Sequence, residues 1–262
     1  MTRRRLIVGN WKMNGTVTES LKIVTALEHQ FKTPPDADVV VAPPFTVLYS
    51  VGVAIQDLPF QLGAQNCHWE DKGAFTGEVA AAFLCDIGCR YVIVGHSERR
   101  QYCGETDEMV NKKIATALRH ELQPIICVGE TAGEREANRT WEVLDRQLKG
   151  ALVDLHHREM EQCVVAYEPV WAIGSGTPAT PEMAIEVHHY IRNQIAKRFD
   201  APTAAQVRII YGGSVKGSNV AQFSRHPEID GCLVGGASLE AVEFAEIVRT
   251  MERGVRSREE GN

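Results

Sequence analysis

Residues 6–12 read Leu6-Ile7-Val8-Gly9-Asn10-Trp11-Lys12, three apolar residues that open into one glycine and then a polar amide and a cation. A doubly wound open sheet usually follows its first strand with a G-x-G-x-x-G turn for a dinucleotide, and this turn has a single glycine. Seven further short apolar runs repeat the same grammar: Val39–Ala42, Phe60–Ala64, Tyr91–Val94, Ile125–Val128, Val164–Tyr167, Val207–Tyr211 and Gly231–Val234. Several are continuous rather than alternating, as expected of parallel strands covered on both faces, and a helix-like segment follows each. Eight such units in 262 residues predict an α/β chain folded as a closed (β/α)8 barrel. The reading places one barrel domain over residues 1–250 and a polar, frayed tail over 251–262.

Helix signals agree with that frame. Met183, Val187, Ile191 and Ile195 lie four apart and form one apolar ridge. Thr180 can cap this helix, Pro181 suits its first position, and Glu182 complements the positive end of its dipole. Two connections exceed the usual roughly 2–6 residues between strand and helix. Gln65 to Gly77 carries Trp69 and Phe75, and Pro169 to Thr180 is rich in glycine with Trp171 near its start. Aromatic residues in long connections point to docking elements or lids rather than loose insertions.

Composition narrows the function classes. A net charge of −6, with only Arg3-Arg4-Arg5 as a basic cluster, argues against a nucleic-acid partner. The longest apolar run, Val79 to Cys85, is far short of the roughly 18 residues that cross a membrane. No apolar leader follows the N-terminus, so the protein is expected in the cytoplasm. Seven cysteines without a C-x-x-C pair read as reduced structural thiols. Cys85 and Cys89 lack a partner pair for zinc, and the neighbours in His156-His157 and His188-His189 point to different helix faces, so no metal is expected.

In a β/α barrel the active site lies at the C-terminal ends of the strands. The polar residues just past the predicted strands are Asn10 and Lys12, His96, Glu168, Gly212-Gly213-Ser214 and Gly235-Gly236. Taken alone, each is weak: a carboxylate, lysine or histidine at a loop start is usually a solvated side chain, and a Gly-Gly pair is usually a turn. Together on one rim they have a chemical logic. A carboxylate can remove a proton from carbon beside a carbonyl whose developing charge is stabilised. His96 and Asn10 can donate to an enediolate, and Lys12 adds a fixed positive charge. The unshielded backbone N–H groups of Gly213, Ser214, Gly235 and Gly236, with a short helix able to begin at Ser238-Leu239-Glu240, form a phosphate cradle. The implied reaction is enolisation of a small phosphorylated carbonyl compound.

Five stretches resemble the triosephosphate isomerase family: Asn10-Trp11-Lys12, Tyr91 to Arg100, Ala166 to Gly174, Tyr211 to Val215 and Leu233 to Leu239. The similarity extends from the first strand to about residue 250, in order and in spacing. The resemblance implies a TIM barrel and an isomerase that interconverts dihydroxyacetone phosphate and D-glyceraldehyde 3-phosphate in glycolysis and gluconeogenesis, without a cofactor. It makes Glu168 the base, His96 a neutral electrophile, and Asn10 and Lys12 the substrate-polarising pair, with Ser97, Glu98 and Cys127 in support. It gives the phosphate to the backbone of Gly174, Ser214, Gly235 and Gly236. Pro169 to Ala179 becomes a lid, and the loop 65–77 the element that enters a second subunit of a homodimer, with Thr76 near the partner's site.

One departure stands out: Thr177-Pro178-Ala179 replaces the family's usual lid ending of Lys-Thr-Ala. Proline restricts both its own φ and the preceding residue, so altered lid kinetics are expected with the chemistry retained. Two other functions fit fewer residues. A Schiff-base aldolase using Lys12 needs an unprotonated lysine in an apolar pocket, yet Lys12 lies beside Asn10 in a site suited to anions. An inactive barrel serving as a scaffold has no need of Glu168, His96 and Lys12 together.

Overall fold

A computed structural model describes residues 3–173 and 179–259. Eight parallel strands close on themselves in chain order: β1 (Leu6–Asn10), β2 (Asp38–Ala42), β3 (Gln61–Ala64), β4 (Cys89–Val94), β5 (Gln123–Val128), β6 (Val164–Tyr167), β7 (Arg208–Tyr211) and β8 (Gly231–Val234). Closure is made by β1, where Leu6 is in register with Asp38 on one side and Gly231 on the other. All eight predicted runs are strands, shifted at the start by no more than two residues.

The pleat explains why those runs are continuously apolar. Leu6, Val8, Val40, Tyr91, Ile93, Ile125, Val164 and Ile210 fill the barrel's interior. Their neighbours Ile7, Val39, Val41, Val92, Ile126, Val165 and Ile209 face outward into the layer beneath the helices. Alternation along a strand sends successive side chains to opposite faces, and both faces here are dry. Each fully buried aliphatic side chain contributes roughly 1.5–3 kcal/mol. At the N-terminal end of the barrel, Arg208 closes the floor, binding Asp38 Oδ2 at 2.7 Å, Tyr91 Oη at 3.0 Å and Gln123 Oε1 at 3.1 Å.

The helix predicted from residue 181 spans Pro181–Arg198, and Thr180 accepts from the Met183 N–H at 3.3 Å. Val187, Ile191 and Ile195 of its ridge are buried, while Met183 is half-buried. The C-terminal expectation is corrected. A helix runs from Ala241 to Glu259, straight through residue 250, so the chain does not fray at Met251. Met251 is fully buried, and Gly254 sits so close to the Ser224 carbonyl that an added Cβ would lie 2.4 Å from its oxygen. Polar composition hid this anchoring, because Met251 and Gly254 stand among charged residues.

The connection after β3 is ordered around His68, which is bridged to Ala80. Its ring stacks on Trp69 at 4.3 Å and meets Phe75 at a tilt at 4.5 Å. The seven thiols are unpaired; five are buried, Cys85 is half-buried and Cys103 is exposed. Among the described residues no helix is long and apolar enough to cross a membrane.

Candidate active site

The strand ends converge as the sequence predicts. A cavity of about 360 Å³ at the C-terminal end of the barrel is lined by Asn10, Lys12, His96, Glu168, Ser214, Gly235 and Gly236, among others. Its size falls within the usual range for small-molecule sites.

Lys12 has φ +53°, a left-handed conformation uncommon outside glycine. Such a residue costs about 1–3 kcal/mol and persists only where its surroundings hold it. The Asn10 side chain accepts the Lys12 N–H at 3.0 Å, and Gln65 Nε2 donates to the Lys12 carbonyl at 2.8 Å. The same Gln65 nitrogen donates to Ala42 O at 2.8 Å, tying the lysine to the end of β2. The ammonium then lies 2.5 Å from Glu98 Oε1, with 28% of the lysine side chain exposed toward the cavity.

His96 caps the short helix Ser97–Tyr102 with its own ring, Nδ1 accepting the Glu98 N–H at 3.2 Å. A nitrogen that accepts cannot also carry a proton, so the remaining proton sits on Nε2. Nε2 faces Glu168 Oε1 at 2.9 Å, and Glu168 Oε2 accepts the Ser97 N–H at 2.8 Å. Burial alone would lift the Glu168 carboxyl, but His96, the Ser97 N–H and Lys12 outweigh it and hold the group below the usual carboxylate range. Burial likewise lowers His96, yet the charge and hydrogen bond of Glu168, with Glu98 behind, leave its net shift upward. The two shifts describe one pair: an ionised carboxylate and a histidine whose protonated form it favours. The upward shift of His96 lasts only while Glu168 stays beside it.

Between Glu168 and Lys12 around the rim, Gly212, Gly213 and Ser214 follow β7, and Gly235 and Gly236 follow β8. A single 3-10 turn begins at Gly236 and ends at Leu239, two residues earlier than the helix start predicted at Ser238. Lys216 also lines this cavity. It was not singled out in the sequence, where it reads as a lone surface lysine. Glycine-rich backbone and a lysine lining one small cavity suit a phosphorylated anion.

The family model described as triosephosphate isomerase matches residues 5–251. The chain belongs to the triosephosphate isomerase family. A protein of that name from Moorella thermoacetica is 53% identical over 246 residues, covering 94% of this chain and 98% of the relative. The namesake from Endomicrobium trichonymphae is 51% identical over 247 residues, again covering 94% and 98%. That of Aquifex aeolicus is 49% identical over 245 residues, with the same coverage of each chain.

Of the residues that the triosephosphate isomerase resemblance singles out, Asn10, Lys12, His96, Glu168, Ser214, Gly235 and Gly236 share the cavity. Ser97 and Glu98 stand behind it, holding Glu168 and Lys12. Cys127 is fully buried within the barrel, its thiol pushed well up by burial and by the Glu168 charge. It lines a second cavity on the far side of Glu168. Thr76 is exposed on its loop, away from this chain's own cavity. Gly174, Thr177 and Pro178 lie outside the described residues.

Several supporting residues escaped the sequence reading. Glu105 is buried and accepts the Gly95 N–H, Arg99 Nε and Lys113 Nζ, each at 2.7 Å, fixing the backbone just before His96. Glu130 is fully buried and accepts from Trp171 Nε1 at 2.8 Å and Tyr167 Oη at 3.2 Å. Arg135 reaches the same carboxylate at 3.3 Å and lies over the Trp171 ring. No motif betrays these carboxylates, which in sequence look like any surface glutamate.

Proposed function

We infer that the chain interconverts dihydroxyacetone phosphate and D-glyceraldehyde 3-phosphate by moving one proton between adjacent carbons through an enediolate. The observation that carries this reading is the meeting of Glu168, His96 and Lys12 in one cavity with the glycines that follow β7 and β8. Glu168, ionised and acceptor-only, takes the proton from one carbon and returns it to the next. His96 donates its Nε2–H to the oxygens on which negative charge develops, and Lys12 and Asn10 stabilise the same charge. The loops after β7 and β8 hold the phosphate. Atoms and electrons balance within the substrate, so the chemistry calls for no redox or group-transfer partner.

Both Glu168 oxygens are already engaged, one by His96 and one by the Ser97 N–H. The carboxylate must exchange these bonds for the substrate's C–H, which makes substrate binding and base delivery one event. Residues 169–179 act as the lid. A homodimer through the loop 65–77 is the working form, with Thr76 of each chain beside the other's Asn10 and Lys12. In its favour, Met13 is 94% exposed beside Lys12, and Phe75 is 42% exposed on the loop, apolar surface that a partner would cover. The cytoplasm and the glycolytic and gluconeogenic steps are the setting, and one barrel domain carries the activity.

The deciding experiment is a coupled assay of glyceraldehyde 3-phosphate formation from dihydroxyacetone phosphate, run on the parent and on Glu168→Gln. Removing a general base costs about 10²–10⁴-fold in rate. A fast parent and a crippled variant support the reading; a folded, dimeric and inactive parent ends it.

A further inference from the structure

Glu168 owes its place to the backbone under it. The β5–β6 ladder ends at the pair Val128 and Tyr167, and the Glu168 N–H continues it onto the Val128 carbonyl at 2.8 Å. One residue further, Gly129 lies against the Glu168 main chain so tightly that an added Cβ would stand 1.7 Å from the Glu168 carbonyl oxygen. Any displacement of Gly129 therefore passes directly to Glu168.

Gly129 is past the end of the strand, and its backbone groups are met by a side chain. Gln147 accepts the Gly129 N–H on Oε1 at 2.7 Å and donates from Nε2 to the Gly129 carbonyl at 3.1 Å. The amide thus mimics the missing strand pair with both of its polar ends. Gln147 sits on the helix Thr140–Ala151, which is anchored by buried Val143, Leu144, Leu148 and Ala151. Its own side chain is buried, leaving it little freedom to leave Gly129.

We propose that Gln147 is a positioning residue for the reaction: its amide locks Gly129, and Gly129 sets where the Glu168 carboxylate stands relative to the substrate. The proposal rests on Glu168 being the base. It differs from a packing role in what it predicts, because misplacing a base by a fraction of an ångström slows proton transfer without weakening the grip on phosphate.

The test uses the full-length chain and three variants assayed for turnover of dihydroxyacetone phosphate, with thermal melts to fix a temperature at which each is folded. Gln147→Leu removes both hydrogen bonds at nearly constant volume. It is expected to lower kcat by at least about tenfold while KM stays within about twofold of the parent. Gln147→Glu can restore both bonds only when protonated, since the acid then has one acceptor and one donor. Its kcat, relative to the parent, is expected to fall as pH rises and the introduced carboxylate turns its charge on the Gly129 carbonyl. A folded Gln147→Leu with parental kcat overturns the proposal. If Gln147→Leu fails to fold, the pH profile of Gln147→Glu decides, and a ratio to parent that is flat with pH overturns it. Glu168→Gln is the control: parental turnover there removes the base assignment itself, whereas a crippled Glu168→Gln beside a parental Gln147→Leu removes the Gln147 proposal alone.

Discussion

His96 Nε2 lies 2.9 Å from Glu168 Oε1, and the two side chains are only 7% and 2% exposed. The proposed base and the proposed electrophile therefore hold each other directly. The backbone N–H of Glu98 on Nδ1 fixes which ring nitrogen carries the proton. At neutral pH, ¹⁵N spectra of the parent are expected to show His96 with Nε2 protonated and Nδ1 bare. Because the upward shift of His96 comes from the Glu168 charge, Glu168→Gln should move its titration midpoint down. An unmoved or raised midpoint would show that something other than Glu168 governs the ring.

The strained Lys12 backbone is held by Asn10 and Gln65 so that the ammonium meets both Glu98 and the cavity. Lys12→Met keeps the length and removes the charge. In the steady-state assay kcat/KM should fall by at least about a hundredfold, the scale of losing an oxyanion-stabilising group. Lys12→Arg should recover little, since a planar fork does not replace a compact point charge at this spacing. Parental kinetics in either variant would remove Lys12 from the chemistry.

Glu130 joins the last residue of β6, Tyr167, to Trp171 at the start of the long loop. Glu130→Leu strands a phenol, an indole N–H and Arg135 around a buried site, a loss of about 3–5 kcal/mol in urea unfolding. Glu130→Gln keeps an acceptor for the ring donors and should lose roughly a third of that. Equal losses in the two variants would mean that shape, rather than the acceptor, is what matters here.

The barrel was legible because β-branched runs, strand-end polarity and helix caps are all local signals, as Thr180 before Pro181 illustrates. Much of the candidate site was legible too, since Asn10 ends a strand and Lys12, His96 and Glu168 each follow one. The residues that hold them were not. Gln65 looked only like the first residue of a loop, and Glu105, Glu130 and Gln147 looked like ordinary helix or loop polars. Their meaning comes from partners 5 to 53 positions away in the chain. Nothing local distinguishes a buried, fully paired carboxylate from a solvated one. The C-terminal helix shows the same limit, for Met251 and Gly254 are two packing residues in a run of charges.

His188, on the helix Pro181–Arg198, gives a prediction with a definite sign in pH. It is fully buried, one ring nitrogen lies 3.1 Å from the Glu228 carbonyl, and its ring meets Tyr167 edge to face. Burial, with Arg192 nearby, pulls its pKa from 6.5 down to about 4. Above pH 6.5 the ring is neutral in both folded and unfolded chains and contributes no pH dependence. Between 6.5 and about 4 the unfolded chain takes up a proton that the folded chain refuses, so stability falls as pH falls. The full effect is roughly 3 kcal/mol at about 1.4 kcal/mol per pH unit. Carboxylates titrate in the same range, but they are common to the parent and His188→Gln, so the difference between the two isolates the histidine. Urea unfolding from pH 7.5 down to 4.5 should show the parent losing more stability than the variant, with most of the divergence below pH 6.5. A constant gap across that range would mean that the ring takes up its proton as readily in the folded barrel as in the unfolded chain, which its dry surroundings oppose.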